Sequence, residues 1–236
     1  MQQIFSMSVP LFYTETDEPT DIIMLDEAAS RHINQVLRMK KGEALLLTNG
    51  KGKKISAAIQ DQGKKTCTVA VENITHITKQ EPSVTIAISL IKNTGRFEWF
   101  LEKVTEMGVT CIVPLICERT EKTHFRPDRM KNILVSAMIQ SQQYWLPALP
   151  DPVQFKQWVS QAAADKKWIA HCMDANKQKM QSPSGSSIIC IGPEGDFTAS
   201  EVEMALENGF EPVTLGDNRL RTETAGMVAA ALLRLG

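Results

Sequence analysis

Near the carboxyl end, two short apolar runs, Ser187–Ile191 and Pro212–Leu215, each lead into a glycine-containing loop and then into a helical pattern. A run of four or five apolar residues bounded by turn signals fits a buried strand. The two runs look like buried parallel strands, each followed by its own loop and helix. The first loop is Gly192-Pro193-Glu194-Gly195-Asp196-Phe197. Its helix has Thr198 or Ser200 as cap, Glu201 and Glu203 in the first turn, and Gly209 as the closing glycine. The second loop is Gly216-Asp217-Asn218-Arg219-Leu220-Arg221, with Thr222 expected to cap the final helix and Glu223 in its first turn. Loops at the carboxyl ends of neighbouring strands, facing helix N-termini, are where α/β sheets bind ligands.

Neither loop is a dinucleotide fingerprint or a P-loop, since G-x-G-x-x-G is absent and no Lys-Ser/Thr pair follows. Taken singly, each is an ordinary strand-to-helix turn that uses glycine for its backbone freedom. Upstream, strand and helix alternate. Ser83–Ile91, Thr110–Cys117 and Lys167–Met173 have strand character. Helices are expected over Arg96–Gly108, Pro127–Tyr144 and near Val153–Ala164, and Lys177–Ser186 is a polar loop. This alternation gives a mostly parallel sheet covered on both faces.

The amino-terminal part has a different rhythm. A helix is expected over Asp26–Arg38, with Ala29, Ile33, Val36 and Leu37 on its apolar stripe and Arg31 and Arg38 on one common face. Glu43–Thr48, Lys54–Gln60 and Thr66–Val71 follow as short strands around tight turns, one of them marked by Asn49-Gly50, which suggests a small barrel. Polar Lys79-Gln80-Glu81 before Pro82 marks the boundary, giving domains of residues 1–78 and 82–236.

Net charge is −1, but its distribution is uneven. From Arg31 to Lys65 nine basic residues face two acidic ones, a local balance of +7 against −8 elsewhere. Such asymmetry points to a phosphate-binding patch or to a lysine-rich solvated face. The five cysteines show no C-x-x-C spacing and fall mostly in apolar runs, so buried reduced thiols and a cytoplasmic protein are expected. His171-Cys172 with Cys190 lacks a fourth ligand, and no metal is expected. No apolar run is long enough to span a membrane.

Together the loops carry a resemblance. G-P-E-G-x-F followed by L-G-x-x-x-L-R-T-E-T-A resembles the RsmE family of 16S ribosomal RNA uridine-N3 methyltransferases, S-adenosylmethionine-dependent members of the SPOUT class. Phe97-Glu98, Glu102-Lys103-Val104-Thr105-Glu106-Met107-Gly108-Val109 and Pro114 are similar to a second family segment. Arg31-His32-Ile33 with Val36-Leu37-Arg38 is similar to a third. The sequence departs from the pattern at Asp196, where a second glycine is usual, and at Gln142-Gln143-Tyr144, where an arginine usually follows Gln-Ser. Residues Met1–Pro10 form an extension before Leu11-Phe12-Tyr13.

The resemblance implies an α/β fold: a SPOUT-type carboxyl-terminal domain with a parallel sheet and a trefoil knot, behind a small PUA-like β-barrel. It implies methylation of N3 of a uridine in 16S ribosomal RNA within the small subunit, and a homodimer. The cofactor S-adenosylmethionine would contact His171 and Cys172, then Ile191, Gly192, Pro193 and Gly195, then Leu215, Gly216, Asn218, Leu220, Arg221, Thr222 and Ala225. RNA would meet Arg31, His32, Arg38, Lys53 and Lys54. Apart from the resemblance, the plainer reading of His171 is a core histidine with its hydrogen bonds satisfied.

Methylating N3 requires removal of its proton and stabilisation of charge on O2 and O4. Arg221 suits the second task, with a phosphate contact or an ion pair as its other readings. Glu194 and Glu223 are candidates for the base, and Glu194 could instead order its loop. A non-catalytic RNA-assembly factor, or an enzyme of the same scaffold acting on another RNA or base, are the alternatives.

Overall fold

The computed structural model describes residues 9–173, 177–180 and 184–235. The expectations for the 1–10 extension thus lie almost wholly outside the described residues, as do parts of the 177–186 loop and residue Asp174. The chain divides into two compact units. One runs to Lys79 and takes in Met138–Trp145; the other comprises Gln80–Ala137 and Leu146–Gly236.

The first unit is a five-stranded sheet in the order β1-β3-β4-β5-β2. Its strands are β1 (Leu11–Tyr13), β2 (Ile22–Met24), β3 (Ala44–Thr48), β4 (Lys53–Gln62) and β5 (Cys67–His76). The β3-β4-β5 meander is antiparallel, as the tight turns require, and β1 joins β3 in parallel. Alternate residues Leu45, Leu47, Ile55, Ile59, Cys67 and Val69 point to one core, the period of two expected of a sheet with one buried face.

The helix of this unit differs from expectation. Asp26 caps α1 (Glu27–Arg31) by accepting the Ala29 N–H at 2.7 Å. The chain then widens into a π-helical stretch, His32–Leu37, and stops at Arg38 in a left-handed conformation, φ 53°. Widening the turn rotates later residues off the α-helical stripe. Ile33 is fully buried, whereas Val36 and Leu37 are 65% and 42% exposed. The same rotation removes the common face expected for Arg31 and Arg38.

The second unit holds a seven-stranded sheet, β10-β12-β9-β11-β6-β7-β8, with every pair parallel. Its strands are β6 (Val84–Ser89), β7 (Cys111–Ile116), β8 (Val153–Gln154), β9 (Lys166–Ala170), β10 (Gln178–Lys179), β11 (Ser187–Ile191) and β12 (Glu211–Thr214). Ile86, Ile88, Ile189 and Ile191 face α2 (Thr94–Glu106), α3 (Pro127–Gln140) and α6 (Thr222–Leu235). Their neighbours Ala87, Ile188 and Cys190 face α4 (Phe155–Val159) and α5 (Ala199–Glu207). Both faces are covered at the middle of the sheet, so central strands such as β7 and β11 are apolar almost throughout.

Three expectations change. The long helix ends at Gln140, with Gln142 at φ 57°, rather than reaching Tyr144. The helix expected near residues 153–164 is a two-residue strand and one short helix. Strands β11 and β12 are not neighbours: β9 lies between them. That insertion brings a third loop, after β9, into the middle of the group.

Candidate functional site

The three loops that leave β9, β11 and β12 at their carboxyl ends enclose a cavity of about 570 Å³. The β9 strand ends at Ala170, earlier than expected, which releases His171 and Cys172 into the cavity wall. From the β11 loop come Ile191, Gly192, Pro193, Glu194 and Asp196. The β12 loop adds Leu215, Gly216, Asn218, Leu220 and Arg221, and α6 contributes Thr222 and Ala225.

The β11 loop is the hub. Lys92, after β6, donates its backbone N–H to the Glu194 carboxylate at 3.1 Å. Arg119, after β7, donates to the Gly195 carbonyl at 2.7 Å. Cys172, after β9, donates its N–H to Asp196 Oδ2 at 2.7 Å. Arg219, after β12, reaches the Glu194 carbonyl at 3.5 Å. The loop itself closes through a turn from the Asp196 N–H to the Pro193 carbonyl.

Each helix start is fixed by chemistry as well. Thr198 is the N-cap of α5 and forms a reciprocal capping box with Glu201. The buried Glu201 also accepts the Glu118 N–H at 2.9 Å. At the far end Gly209, φ 78°, is followed by the Phe210 N–H bonding to the Ala205 carbonyl, a Schellman closure. Thr222, expected to cap α6, is instead its first helical residue. Its buried hydroxyl donates to the Gly192 carbonyl.

Of the residues singled out from sequence, Gly195 and Glu223 are not among the cavity's lining. Gly195 packs against the Arg119 side chain. Glu223 is buried on α6, 3.7 Å from the Arg96 guanidinium, with Oε2 unbonded among the described residues. Ala170, Lys177, Val213, Thr214, Asp217 and Arg219 line the cavity and were missed. Most adjoin a residue that was found; Lys177 could not be placed because its loop shows no periodicity.

Arg221 is exposed, and its guanidinium makes no hydrogen bond or ion pair among the described residues. His171 is only 8% exposed, and neither ring nitrogen has a partner among the described residues. Burial holds its imidazole below the usual histidine range, the Lys177 charge adds to this, and the Asp196 carboxylate opposes it. Gly216 stands at φ 134°, where a Cβ would meet no atom within 4 Å. Among the described residues no three His, Cys, Asp or Glu side chains group as a metal site.

The candidate RNA contacts lie in the first unit. Arg31 pairs with Glu27 at 3.2 Å, and Lys65 shares that carboxylate. Lys51 pairs with Asp17 at 2.6 Å, and Lys53 donates to the Asp17 carbonyl. Asp17 and Glu27 both lie outside the basic window of the sequence, so part of its charge is neutralised in the fold. Lys54 lies 5.7 Å over the Tyr144 ring, and His32 meets Phe12 edge-on. The Arg38 side chain has no partner among the described residues, and its backbone N–H donates to the Ile33 carbonyl.

An all-parallel sheet whose loops gather at one carboxyl edge, with a separate, mostly antiparallel sheet, is matched as a whole by known proteins. Residues 79–234 match the RNA methyltransferase domain, and residues 25–72 match the RNA methyltransferase PUA domain. A ribosomal RNA small subunit methyltransferase E from Synechocystis sp. is 30% identical, over 98% of this chain and 80% of the relative. A probable rRNA-methyltransferase from Porphyromonas gingivalis superposes with a TM-score of 0.87 at 37% identity, covering 94% of this chain and 95% of the other. A ribosomal RNA small subunit methyltransferase E from Neisseria gonorrhoeae, bound to S-adenosyl methionine, gives 0.84 at 31%, covering 94% and 95%.

The two domain types define an RNA methyltransferase with an amino-terminal PUA-like domain and a carboxyl-terminal parallel-sheet domain. Within that class, the chain belongs to the RsmE family of ribosomal RNA small subunit methyltransferases. Among the described residues no helix is long and apolar enough to cross a membrane.

Proposed function

We propose that this chain methylates N3 of a uridine in 16S ribosomal RNA on the small ribosomal subunit, using S-adenosylmethionine. The observation that carries the reading is the 570 Å³ cavity, walled by three loops and carrying an arginine, Arg221, with no side-chain partner among the described residues. The residues fit the cofactor: His171 is a buried ring with both nitrogens unbonded among the described residues, and Gly216 leaves open space where any side chain would intrude. Gly192, Leu215, Asn218, Leu220 and Ala225 would hold it, with backbone groups available for the adenine.

The cofactor supplies the methyl group from its sulfonium, so the acceptor nitrogen has to lie in line with it. N3 must first lose its proton, and the charge then spreads to O2 and O4. Arg221 donates two parallel bonds to that charge. Glu194 lines the cavity and Glu223 lies behind it on α6; these are the candidate proton acceptors, the first held by Lys92 and the second beside Arg96. N3 lies on the pairing edge, so a paired uridine has to be flipped out before transfer.

On this reading residues 1–78 bind RNA, and residues 82–236 bind the cofactor and do the chemistry in the cytoplasm. The knot of the family is supported by one feature: α6 follows β12 yet packs on β11, β6 and α2, on the far side of β9. Pulling the unfolded chain by its two ends tests this, since a knotted chain stays short of its full contour. A homodimer is supported by Trp99, Leu232 and Leu235, exposed on the helices α2 and α6. A monomer at micromolar concentration in sedimentation equilibrium argues against it.

The function is tested by mass spectrometry of small-subunit RNA from cells with and without the gene. A uridine methylated at N3 only when the gene is present supports the proposal. Identical RNA from both sinks it. Comparing methylation of bare RNA with intact subunits by the purified protein separates an enzyme from an assembly factor.

A further inference from the structure

Asp196 has a backbone conformation that an L-residue adopts reluctantly, φ 64°. Glycine is unstrained there, and glycine is the residue expected at this point of the loop. Two hydrogen bonds offset the strain. Oδ2 accepts the Cys172 N–H at 2.7 Å, and Oδ1 accepts the Phe197 N–H at 2.9 Å. The first bond joins the β11 loop to the β9 loop, and among the described residues no other side-chain hydrogen bond links these two segments. A carboxylate accepting a backbone N–H is a charge-assisted bond, short and stronger than a neutral one.

The tethered residue directly follows His171. That ring is more than nine-tenths buried, lines the cavity, and has two nitrogens without a partner among the described residues. A buried polar group left unbonded is costly, and native structures satisfy such groups. A neutral imidazole has one donor and one acceptor, the complement of a hydroxyl or ring nitrogen of an adenosyl group. Lys177 braces the same loop from its other side by donating to the His171 carbonyl at 2.7 Å.

We propose that Asp196 is a positioning residue, whose carboxylate ties the β9 loop to the β11 loop and so sets His171 to hydrogen-bond the adenosyl part of the cofactor. The proposal rests on the cavity being the cofactor site. It separates the role of Asp196 from that of a glycine, which could relieve the strain but could not hold Cys172.

The test compares the full-length protein with Asp196→Gly, Asp196→Asn, His171→Ala and the Asp196→Gly/His171→Ala double variant. Calorimetry with S-adenosylhomocysteine gives affinity, and the His171 ring resonances are followed by NMR against pH. Asp196→Gly should stay folded with an unfolding midpoint close to that of the wild type, because relief of the backbone strain offsets the two lost hydrogen bonds. Its affinity should nevertheless drop by about ten- to a hundredfold, the weight of one charged hydrogen bond. The double variant should bind no worse than His171→Ala, because Asp196 acts through that ring.

In the wild type, cofactor should shift the His171 ring resonances. In Asp196→Asn, with the loop still tethered, the ring should titrate lower than in the wild type, because an opposing negative charge is gone. In Asp196→Gly it should titrate higher, because the freed loop lets water reach it. Wild-type affinity in Asp196→Gly, full additivity in the double variant, or ring resonances indifferent to cofactor would each overturn the proposal. If the wild type itself fails to bind, the cofactor reading of the cavity falls, and this inference with it.

Discussion

The Thr222 hydroxyl donates to the Gly192 carbonyl at 3.1 Å, joining the first turn of α6 to the end of β11. The bond is buried, and it crosses thirty residues of sequence. It fixes the floor of the cavity, because Gly192 and Thr222 both line it. Thr222→Val keeps the shape and leaves the carbonyl unsatisfied. The expected cost is about 1–3 kcal/mol of stability, the range for an orphaned buried acceptor. Urea unfolding should show this as a lower midpoint with unchanged slope. An unchanged midpoint would mean that water replaces the hydroxyl.

Gly216 provides a direct probe of the cavity. Its φ of 134° and the open space around its missing Cβ make it a place where a side chain enters the site rather than the core. Gly216→Trp should therefore abolish binding of S-adenosylmethionine in calorimetry while the chain stays folded by circular dichroism. Tight binding by this variant would move the cofactor elsewhere.

Much of the second unit was legible because its strands are buried on both faces, so apolar runs such as Ser187–Ile191 stand out without any alternation. The order of those strands was not legible. Nothing local to Lys166–Ala170 says that it inserts between β11 and β12, yet that insertion places His171 in the site. The π-helical stretch was hidden for a related reason. Val36 and Leu37 have the spacing of an apolar stripe, and only the widened turn exposes them. Glu223 is recognisable in the sequence as a first-turn acid, but its direction, toward Arg96, depends on how α6 packs on α2. Asp196 was visible as an anomaly, and only the fold shows its partner.

The basic patch of the first unit should bind RNA mainly through phosphates. Replacing Arg31, Arg38, Lys53 and Lys54 with alanine should weaken RNA binding and flatten its salt dependence, because fewer counterions are released. Cofactor affinity should stay the same. Arg38→Ala alone should lower affinity more than Arg31→Ala, since Arg31 is already paired with Glu27 and the Arg38 side chain has no partner among the described residues. Filter binding across a salt series measures both. Equal affinity for the quadruple variant and the wild type would make the patch a solvated face.

The catalytic reading turns on Arg221, whose exposed guanidinium lines the cavity without a partner among the described residues. Arg221→Lys keeps the charge and loses the planar fork that grips two oxygens. If Arg221 stabilises the uracil anion, turnover should fall by about two to three powers of ten, as for loss of an oxyanion donor. RNA and cofactor affinities should change little, because the interaction strengthens mainly as N3 loses its proton. Raising the pH should partly rescue the variant, since more uracil is already ionised. Glu223→Gln supplies the contrast. A lost base depresses turnover with little change in stability, whereas loss of the ion pair between buried Glu223 and the half-exposed Arg96 lowers the unfolding midpoint and leaves turnover near normal. Single-turnover rates against pH decide between these. Near-normal turnover in Arg221→Lys, or a loss of RNA affinity equal to the loss of rate, would assign Arg221 to phosphate positioning and leave the uracil anion to another donor.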